Sequence, residues 1–462
     1  MNADNIMDKK SLFDSWRSEA LPHNKTADLL QWIQNRNESV SVSINKSALT
    51  DSRYWFYDGS SGMIRNQNNS FFQISGLRVC KDGQTLFEQP IILQHEIGYL
   101  GIICKEINGV PHFLMQDKIE PGNVNCVQIS PTIQATKSNF TQKHGGAKPK
   151  YLEYFLDAKK HNILFDQIQS EQSSRFLGKR NRNIIISVDE DIPECDTHKW
   201  MTLYQIKQLM KIPNLVNMDT RTVLSCLPIL WGCSIEDTEQ YFTDKALYRS
   251  MFEANEFELP AVYHYINNYK MFNEQKRELA PLYSLKDWYY NENREFVCRK
   301  PYCFKLIHCD IEIEGREVRH WDQPLFEATG RALFGLFTCV DNGIRKFLVK
   351  AKPEIGAFDQ IELAPSVQRE AVTDEQEDSV YQLFMKKLTT EEGIIFNNIL
   401  SEEGGRFYHE ENNNVIIEIE KDELDLLPDG YFWLTYRTLN SLIRINNTVN
   451  IQLRNLISLL EI

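Results

Sequence analysis

The chain has 462 residues, 42% of them hydrophobic and 25% charged, with a formal net charge of −13. At about 150 residues per domain, that length suggests two or three domains, and it can bury large cores without disulfide staples. The negative balance argues against broad binding to nucleic acid or to an anionic membrane, although a few arginines in a cleft can still hold a small phosphorylated ligand.

The ten cysteines, at 80, 104, 126, 195, 226, 233, 298, 303, 309 and 339, form no CxxC pair and no zinc-finger spacing with histidine. They read as free thiols of a reducing compartment. The start, MNADNIMDKKSLFDSW, has no apolar core after its charges and so is not a signal peptide. No run approaches ~18 apolar residues, so no membrane span is expected. A cytoplasmic location is the expectation.

In chain order, residues 1–50 predict a helical arm, from the apolar spacing of LFDSW and LLQWI. A first unit covers 51–227. Its FFQISGLRV alternates as a strand, and LGIICKEINGVPHFLMQDKIE is a hairpin turning at Asn108-Gly109. By the period-2 rule Phe113, Met115, Asp117 and Ile119 share one face and Gln116, Lys118 and Glu120 the other. The strand PTIQATKS sets Thr132, Gln134, Thr136 and Ser138 together, and these faces can form one polar pocket. The helices TLYQIKQLMK and NMDTRTVLSCL close the unit, with Asn217 as N-cap. Residues 228–283 read as a helical connector, through DTEQYFTDKALYRSMFEAN and ELPAVYHYINNYKMF. A second unit, 284–462, repeats the pattern. LFGLFTCVDNGIRKFLVKAKPE turns at Asn342-Gly343, Lys350, Lys352 and Glu354 take the polar face, and Asn450 caps IQLRNLISLL. The expected class is α+β, a tandem duplication of a mixed-sheet domain with helices.

The duplication is visible residue by residue. Gln89-Pro90 recurs as Gln323-Pro324, Gly101 as Gly335, Asn108-Gly109 as Asn342-Gly343, and Phe113-Leu114 as Phe347-Leu348. Lys118, Glu120, Gly122, Pro131 and Gln134 recur as Lys352, Glu354, Gly356, Pro365 and Gln368 at the same offset. With small shifts, Arg175-Phe176 matches Arg406-Phe407, Trp200 matches Trp433, Asn217 and Arg221 match Asn450 and Arg454, and Trp55 matches Trp288.

The segment FLMQDKIEPGNVNCVQISPTIQATKSNFT with the following HGG, together with EQSSRFLGKRNRN and VNMDTRTVLSCLP, resembles the NDP-hexose 2,3-dehydratase family. The likeness covers nearly the whole chain, including the duplication. It implies two Nudix-like halves per subunit and a homodimer. It also implies a nucleoside-diphosphate 4-keto-6-deoxyhexose substrate, typically dTDP-linked. Such enzymes remove the C2 hydroxyl and the C3 hydrogen as water, and a 3-ketoreductase normally takes the unstable diketo product. The second copy lacks the Asn-rich and His-Gly-Gly features, so its pocket is expected to differ. The metal-binding glutamates of a true Nudix hydrolase are missing. The nearest candidate, Arg369-Glu370 in REAVTDEQ, has no glutamate pair. Neither metal nor cofactor is expected.

Dehydration next to a C4 ketone needs a base at C3, a charge to stabilise the enolate oxygen, and an acid for the C2 hydroxyl. Under the resemblance, Glu120 is the expected base, Lys118 the enolate stabiliser and His144 the acid, with Lys352 and Glu354 as the second copy's pair. Lys118 and Glu120 also read as a simple solvated ion pair, and His144 as a turn residue beside Gly145-Gly146. Glu96, Asn123, Asn125, Thr132, Gln134 and Gln368 are expected in contact with the substrate. Arg175, Arg221, Arg406 and Arg454 are phosphate candidates or helix-surface arginines. Trp55 and Trp288 stack on the base or belong to the core. A non-catalytic sugar-nucleotide binding protein is the alternative to the lyase.

Overall fold

The computed structural model describes residues 9–17, 20–141, 148–227, 238–316 and 318–462. Each half carries a seven-stranded mixed sheet. In the first the order is Asn162–Ser170, Arg180–Ser187, Gly98–Ile107, Val110–Ile119 and His198–Thr202, with short strands Val127–Ser130 and Ile133–Ala135 attached. Arg180–Ser187 runs parallel to Gly98–Ile107, and the remaining pairings are antiparallel. The second half repeats the order with Ile394–Ser401, Glu411–Glu418, Leu333–Asp341, Ile344–Pro353 and Tyr431–Thr435.

The hairpin turns form for the reason their sequences suggest. Asn108 and Gly109 have φ of 52° and 79°, and Asn342 and Gly343 have 52° and 76°. A two-residue turn that matches strand twist needs positive φ at both positions, which Asn-Gly adopts at least cost. The alternating faces of Val110–Ile119 also separate as expected. Phe113, Met115 and Ile119 enter the large central core, whereas Leu114 packs on the other side with Ile133, Phe155 and Trp200.

A mainly antiparallel sheet precedes each mixed sheet, and in the second half it also takes Phe407–Tyr408, parallel to His320–Ala328. The first is built from Trp55–Asp58, Met63–Asn66, Gln73–Lys81 and Gln84–Leu93, the second from Trp288–Tyr290, Phe296–Cys298, Phe304–Ile313 and His320–Ala328. Their edge strands are exchanged. Val42–Ser47, from the first half of the chain, pairs with Phe304–Ile313, and Lys276–Ala280 pairs with Gln73–Lys81.

This exchange enlarges the repeat. The helices Lys9–Trp16 and Thr26–Ser39 followed by the strand Val42–Ser47 have the same order as Lys245–Phe252, Leu259–Phe272 and Lys276–Ala280. Leu29 and Ile33 are buried in one, Val262 and Ile266 in the other, at one offset. The segments read from sequence as an arm and a connector are thus two copies of one element. Only their apolar spacing is retained, so residue identity did not reveal them.

The halves lock at two equivalent junctions. Gly122 N donates to Gly404 O at 2.6 Å, and Gly356 N donates to Ser173 O at 2.8 Å. A Cβ on Gly122 would stand 1.6 Å from the carbonyl oxygen of Phe407, and one on Gly356 1.8 Å from that of Phe176. Between the junctions, Arg221 donates to Ser401 O and Arg454 to Ser170 O, each at 2.6 Å. These two arginines are 2% and 0% exposed. They are buried, not surface, residues, and their guanidinium groups donate to backbone carbonyls across the seam.

Replacing Gly356 with alanine forces a side chain against a fixed carbonyl. The Gly356→Ala protein is expected to lose about 1–3 kcal/mol of unfolding free energy in urea titration. An unchanged midpoint would show that the junction is loosely packed.

Candidate functional site

A cleft of about 530 Å³ opens where the two halves meet. The mixed sheet of the first half supplies Glu120, Gln134 and Thr136, and its antiparallel sheet supplies Trp55 and Asn66 with Phe71 and Gln94 beside it. The opposite wall comes from the second half: Arg316, His320, Trp321 and Gln323 from its antiparallel sheet region, and Glu403 and Arg406 from the loop held at the Gly122 junction. One site is therefore built from both copies.

Five carboxyl groups line the cleft, Glu120, Glu171, Asp219, Asp322 and Glu403. Glu120 follows the strand Val110–Ile119. Arg316 Nη1 lies 3.3 Å and Lys118 Nζ 3.6 Å from its Oε1. Burial, with Glu120 and Glu171 adding to it against the pull of Arg406, pushes the Glu403 carboxyl up to about 7. Asp219, 2% exposed, is pushed well above the carboxylate range by burial and by Glu171, Glu403 and Glu120. Lys179 donates to Glu96 O at 2.6 Å and Asn181 Oδ1 at 2.9 Å. Burial lowers it to about 8, with Glu171 opposing and Arg406 assisting. Among the described residues, no three His, Cys, Asp or Glu side chains are grouped to hold a metal ion.

The equivalent place in the second half has the same scaffold and different charges. Asn450 and Gln368 keep the positions and the mutual bond of Asn217 and Gln134. Glu410 stands where the first half has Lys179, Glu370 where it has Thr136, Gln452 where it has Asp219, and Gln172 where it has Glu403. Arg175 makes a bidentate pair with Glu370, both contacts at 3.1 Å, and lies 3.8 Å from Glu410. The ion pair occupies the position that is open in the first half. Glu354 accepts from Gln368 at 3.0 Å and Asn450 at 3.5 Å, whereas Glu120 has two cations beside it.

The residues singled out from sequence divide accordingly. Glu120, Gln134, Trp55 and Arg406 line the cleft. Trp55 is also core: it is 4% exposed, and its Nε1 donates to Asp322 O at 2.7 Å. Lys118 is behind Glu120, donating to Gln134 O at 3.4 Å, and is not itself in the cleft wall. Lys352 makes the matching bond to Gln368 O and an ion pair with Glu375.

The remaining candidates have structural partners instead. Asn123 donates to Lys118 O and Cys126 O and ties down its own loop, and Asn125 donates to Asn214 O and ties that loop to the segment before the helix Met218–Leu224. Thr132 joins Ile103 N to Leu114 O inside the sheet. Glu96 accepts from Ser138, capping the short helix Lys137–Phe140 at the cleft rim. Trp288 packs among Phe296, Tyr302 and Phe304. His144 lies outside the described residues.

Sequence reasoning missed Asp219, Lys179, Glu403, Arg316 and Trp321. Lys179, Asp219 and Glu403 lie in segments that align between the copies, but identity was used as the signal. At these positions the copies differ, and the difference marks the site.

A family model described as NDP-hexose 2,3-dehydratase matches residues 26–227 and again 259–460. A protein of Streptomyces violaceoruber named dTDP-4-dehydro-6-deoxy-alpha-D-glucopyranose 2,3-dehydratase is 36% identical over 440 residues, covering 94% of this chain and 96% of its own. Proteins of the same name from Saccharopolyspora spinosa and Amycolatopsis orientalis are 35% and 32% identical, each over 94% of this chain and 91% and 90% of their own.

The Arg175 pair makes a stability prediction. Arg175→Ala removes the cation that Glu370 holds bidentately and that opposes the burial of Glu410, and is expected to lower unfolding free energy by about 1–3 kcal/mol. Equilibrium urea unfolding checks this, and a change below about 1 kcal/mol, the scale of an exposed pair, would show that the second pocket is wet.

Proposed function

Because the chain belongs to the NDP-hexose 2,3-dehydratase family, we propose that it eliminates water from an NDP-4-keto-6-deoxyhexose, with dTDP-4-keto-6-deoxyglucose as substrate. The observation that carries the reading is the cleft itself: a carboxyl group, Glu120, flanked by Lys118 and Arg316 beside further carboxyl groups. The C4 ketone acidifies the C3 hydrogen, and Glu120 takes it. Lys118 and Arg316 keep Glu120 charged and ready to accept a proton. This moves Lys118 from the enolate oxygen to the base. The cations that face the cleft, Lys179, Arg316 and Arg406, supply the positive charge that a diphosphate and an enolate oxygen need. Trp321 and Phe71 offer aromatic surface for the nucleotide base.

The pocket in the first half is the reacting one in this reading, because its counterpart has Glu410 and Gln452 in place of Lys179 and Asp219 and pairs its arginine with Glu370. The finer fold assignment, a Nudix-type sandwich in each half, is supported by a mixed sheet with a parallel central pair and helices on it. A homodimer accords with Met271 and Phe272, 77% and 70% exposed at the end of a helix. A 3-ketoreductase is the natural next enzyme, since a diketo sugar nucleotide is unstable. The nine described cysteines are free, which suits the cytoplasm. Among the described residues no helix is long and apolar enough to cross a membrane.

The direct test incubates the protein with dTDP-4-keto-6-deoxyglucose and follows free dTDP. Protein-dependent release, replaced by a reduced 2,6-dideoxy nucleotide when a 3-ketoreductase and NADPH are added, establishes the activity. Binding without release would favour the non-catalytic alternative. Glu120→Gln is expected to lower release by about 10²-fold or more while dTDP still binds. Near-normal turnover would remove Glu120 from the base role.

Lys179 sets a pH dependence. Its value of about 8 means that it is charged below that pH and neutral above it. Affinity for dTDP is therefore expected to fall as pH rises through about 8. Titration calorimetry on Lys179→Met should show weaker binding with that step removed, and a step that survives the substitution belongs to another group.

A further inference from the structure

We infer that Asp219 is the acid that protonates the departing C2 hydroxyl, an assignment that rests on the 2,3-dehydratase reading of the cleft. Asp219 lies in the first turn of the helix Met218–Leu224 and lines the cleft, although it is only 2% exposed. Among the described residues nothing donates a hydrogen bond to its carboxyl group, whereas the neighbouring Asn217 caps the helix through Thr220 N. Three other carboxyl groups, Glu120, Glu171 and Glu403, bear on it from three separate elements, with Lys118 as the opposing charge.

A buried carboxylate with no donor and three like neighbours is unfavourable, so the group keeps its proton. The result is a neutral carboxylic acid in the wall of the substrate cleft. The other acids fit less well. Glu403 is also raised, to about 7, but both its oxygens already accept backbone hydrogen bonds, from Gly405 N at 2.8 Å and Arg406 N at 3.0 Å. His320 is exposed and paired with Asp310 at 2.9 Å. The duplication adds an internal comparison. Asn217 and Arg221 persist as Asn450 and Arg454, but Asp219 becomes Gln452, which has no acidic proton. It does so in the half whose Glu354 is held by amide side chains.

The step balances as follows. Glu120 accepts the C3 proton, and the C–H electron pair forms the C3=C4 enolate. The C2–O bond then breaks as the enolate pair forms C2=C3 and restores the C4 carbonyl. The leaving oxygen takes the Asp219 proton and departs as water. The C3 enol ketonises by moving its proton to C2. Glu120 returns its proton to solvent, and Asp219 regains one from solvent.

The test uses the full chain with Asp219→Asn, which keeps the shape and removes the acidic proton. Expected results are unchanged dTDP binding, continued exchange of the C3 hydrogen in D2O, and dTDP release from dTDP-4-keto-6-deoxyglucose lowered at least about 100-fold. With the 2-deoxy-2-fluoro analogue most of that deficit should vanish, because fluoride leaves without a proton. Near-normal release from the natural substrate overturns the assignment, as does loss of C3 exchange together with elimination, or an equal deficit on the fluoro analogue. Asp219→Ser carries the same test if the Asn variant does not fold. A wild-type protein that releases no dTDP would instead defeat the dehydratase reading itself.

Discussion

The close approach of backbone at Gly122 and Gly404, mirrored at Gly356 and Ser173, is the constraint on which the site depends. Only a residue without a Cβ fits at Gly122, because the carbonyl of Phe407 occupies the space a side chain would need. This contact sets the end of the Val110–Ile119 strand, and Glu120 with it, against the loop that carries Glu403 and Arg406. The exchanged edge strands and the buried Arg221 and Arg454 hold the same seam from other directions. A cleft made from two copies needs that rigidity, since small errors in placing a base or a cation are costly in rate.

Duplication would by symmetry yield two such clefts. The copies instead show how few residues decide whether a pocket is open. Where Lys179 and Thr136 stand in one, Glu410 and Glu370 stand in the other, and Arg175 closes on the acidic pair. The arginine is buried, while Glu370 is half-buried and Glu410 buried beside it. In the first half Arg406 has no acidic counterpart at Thr136. It stacks on Phe71 and Phe72 and leaves room beside it. The scaffold bonds survive in both halves: Asn217 to Gln134, Asn450 to Gln368, and each lysine to its glutamine carbonyl.

Repetition made much of this legible in the sequence. Asn108-Gly109 and Asn342-Gly343 mark the hairpins because local turn chemistry decides them. Glu120 and Gln134 are marked by alternation along strands. The roles of Arg221 and Arg454 were not legible, because a buried guanidinium bonded to carbonyls of the other half looks in sequence like one that binds phosphate. Asn123 and Asn125 misled in the same way, since loops also need amides to close them. The arm and the connector escaped recognition as copies because packing retains apolar positions such as Ile33 and Ile266 and leaves the rest free. Arg316 and Trp321 come from beyond the segment that carried the resemblance, and only the fold brings them to Glu120.

The charge pattern of the cleft follows from one economy of design. Elimination needs a group that accepts a proton and another that gives one, at the same pH. Identical carboxyl groups can fill both roles when their surroundings push them apart. Lys118 and Arg316 stand beside Glu120 and favour its anion, while Asp219 has the anions and the burial without the hydrogen bonds. Each carboxylate raises the cost of ionising its neighbours, so a charged Glu120 helps to keep Asp219 neutral. When Glu120 takes the C3 proton its charge disappears, and Asp219 becomes easier to ionise at the moment its proton is needed. The two groups are coupled through the field between them, and a single acid–base pair then serves both halves of the elimination.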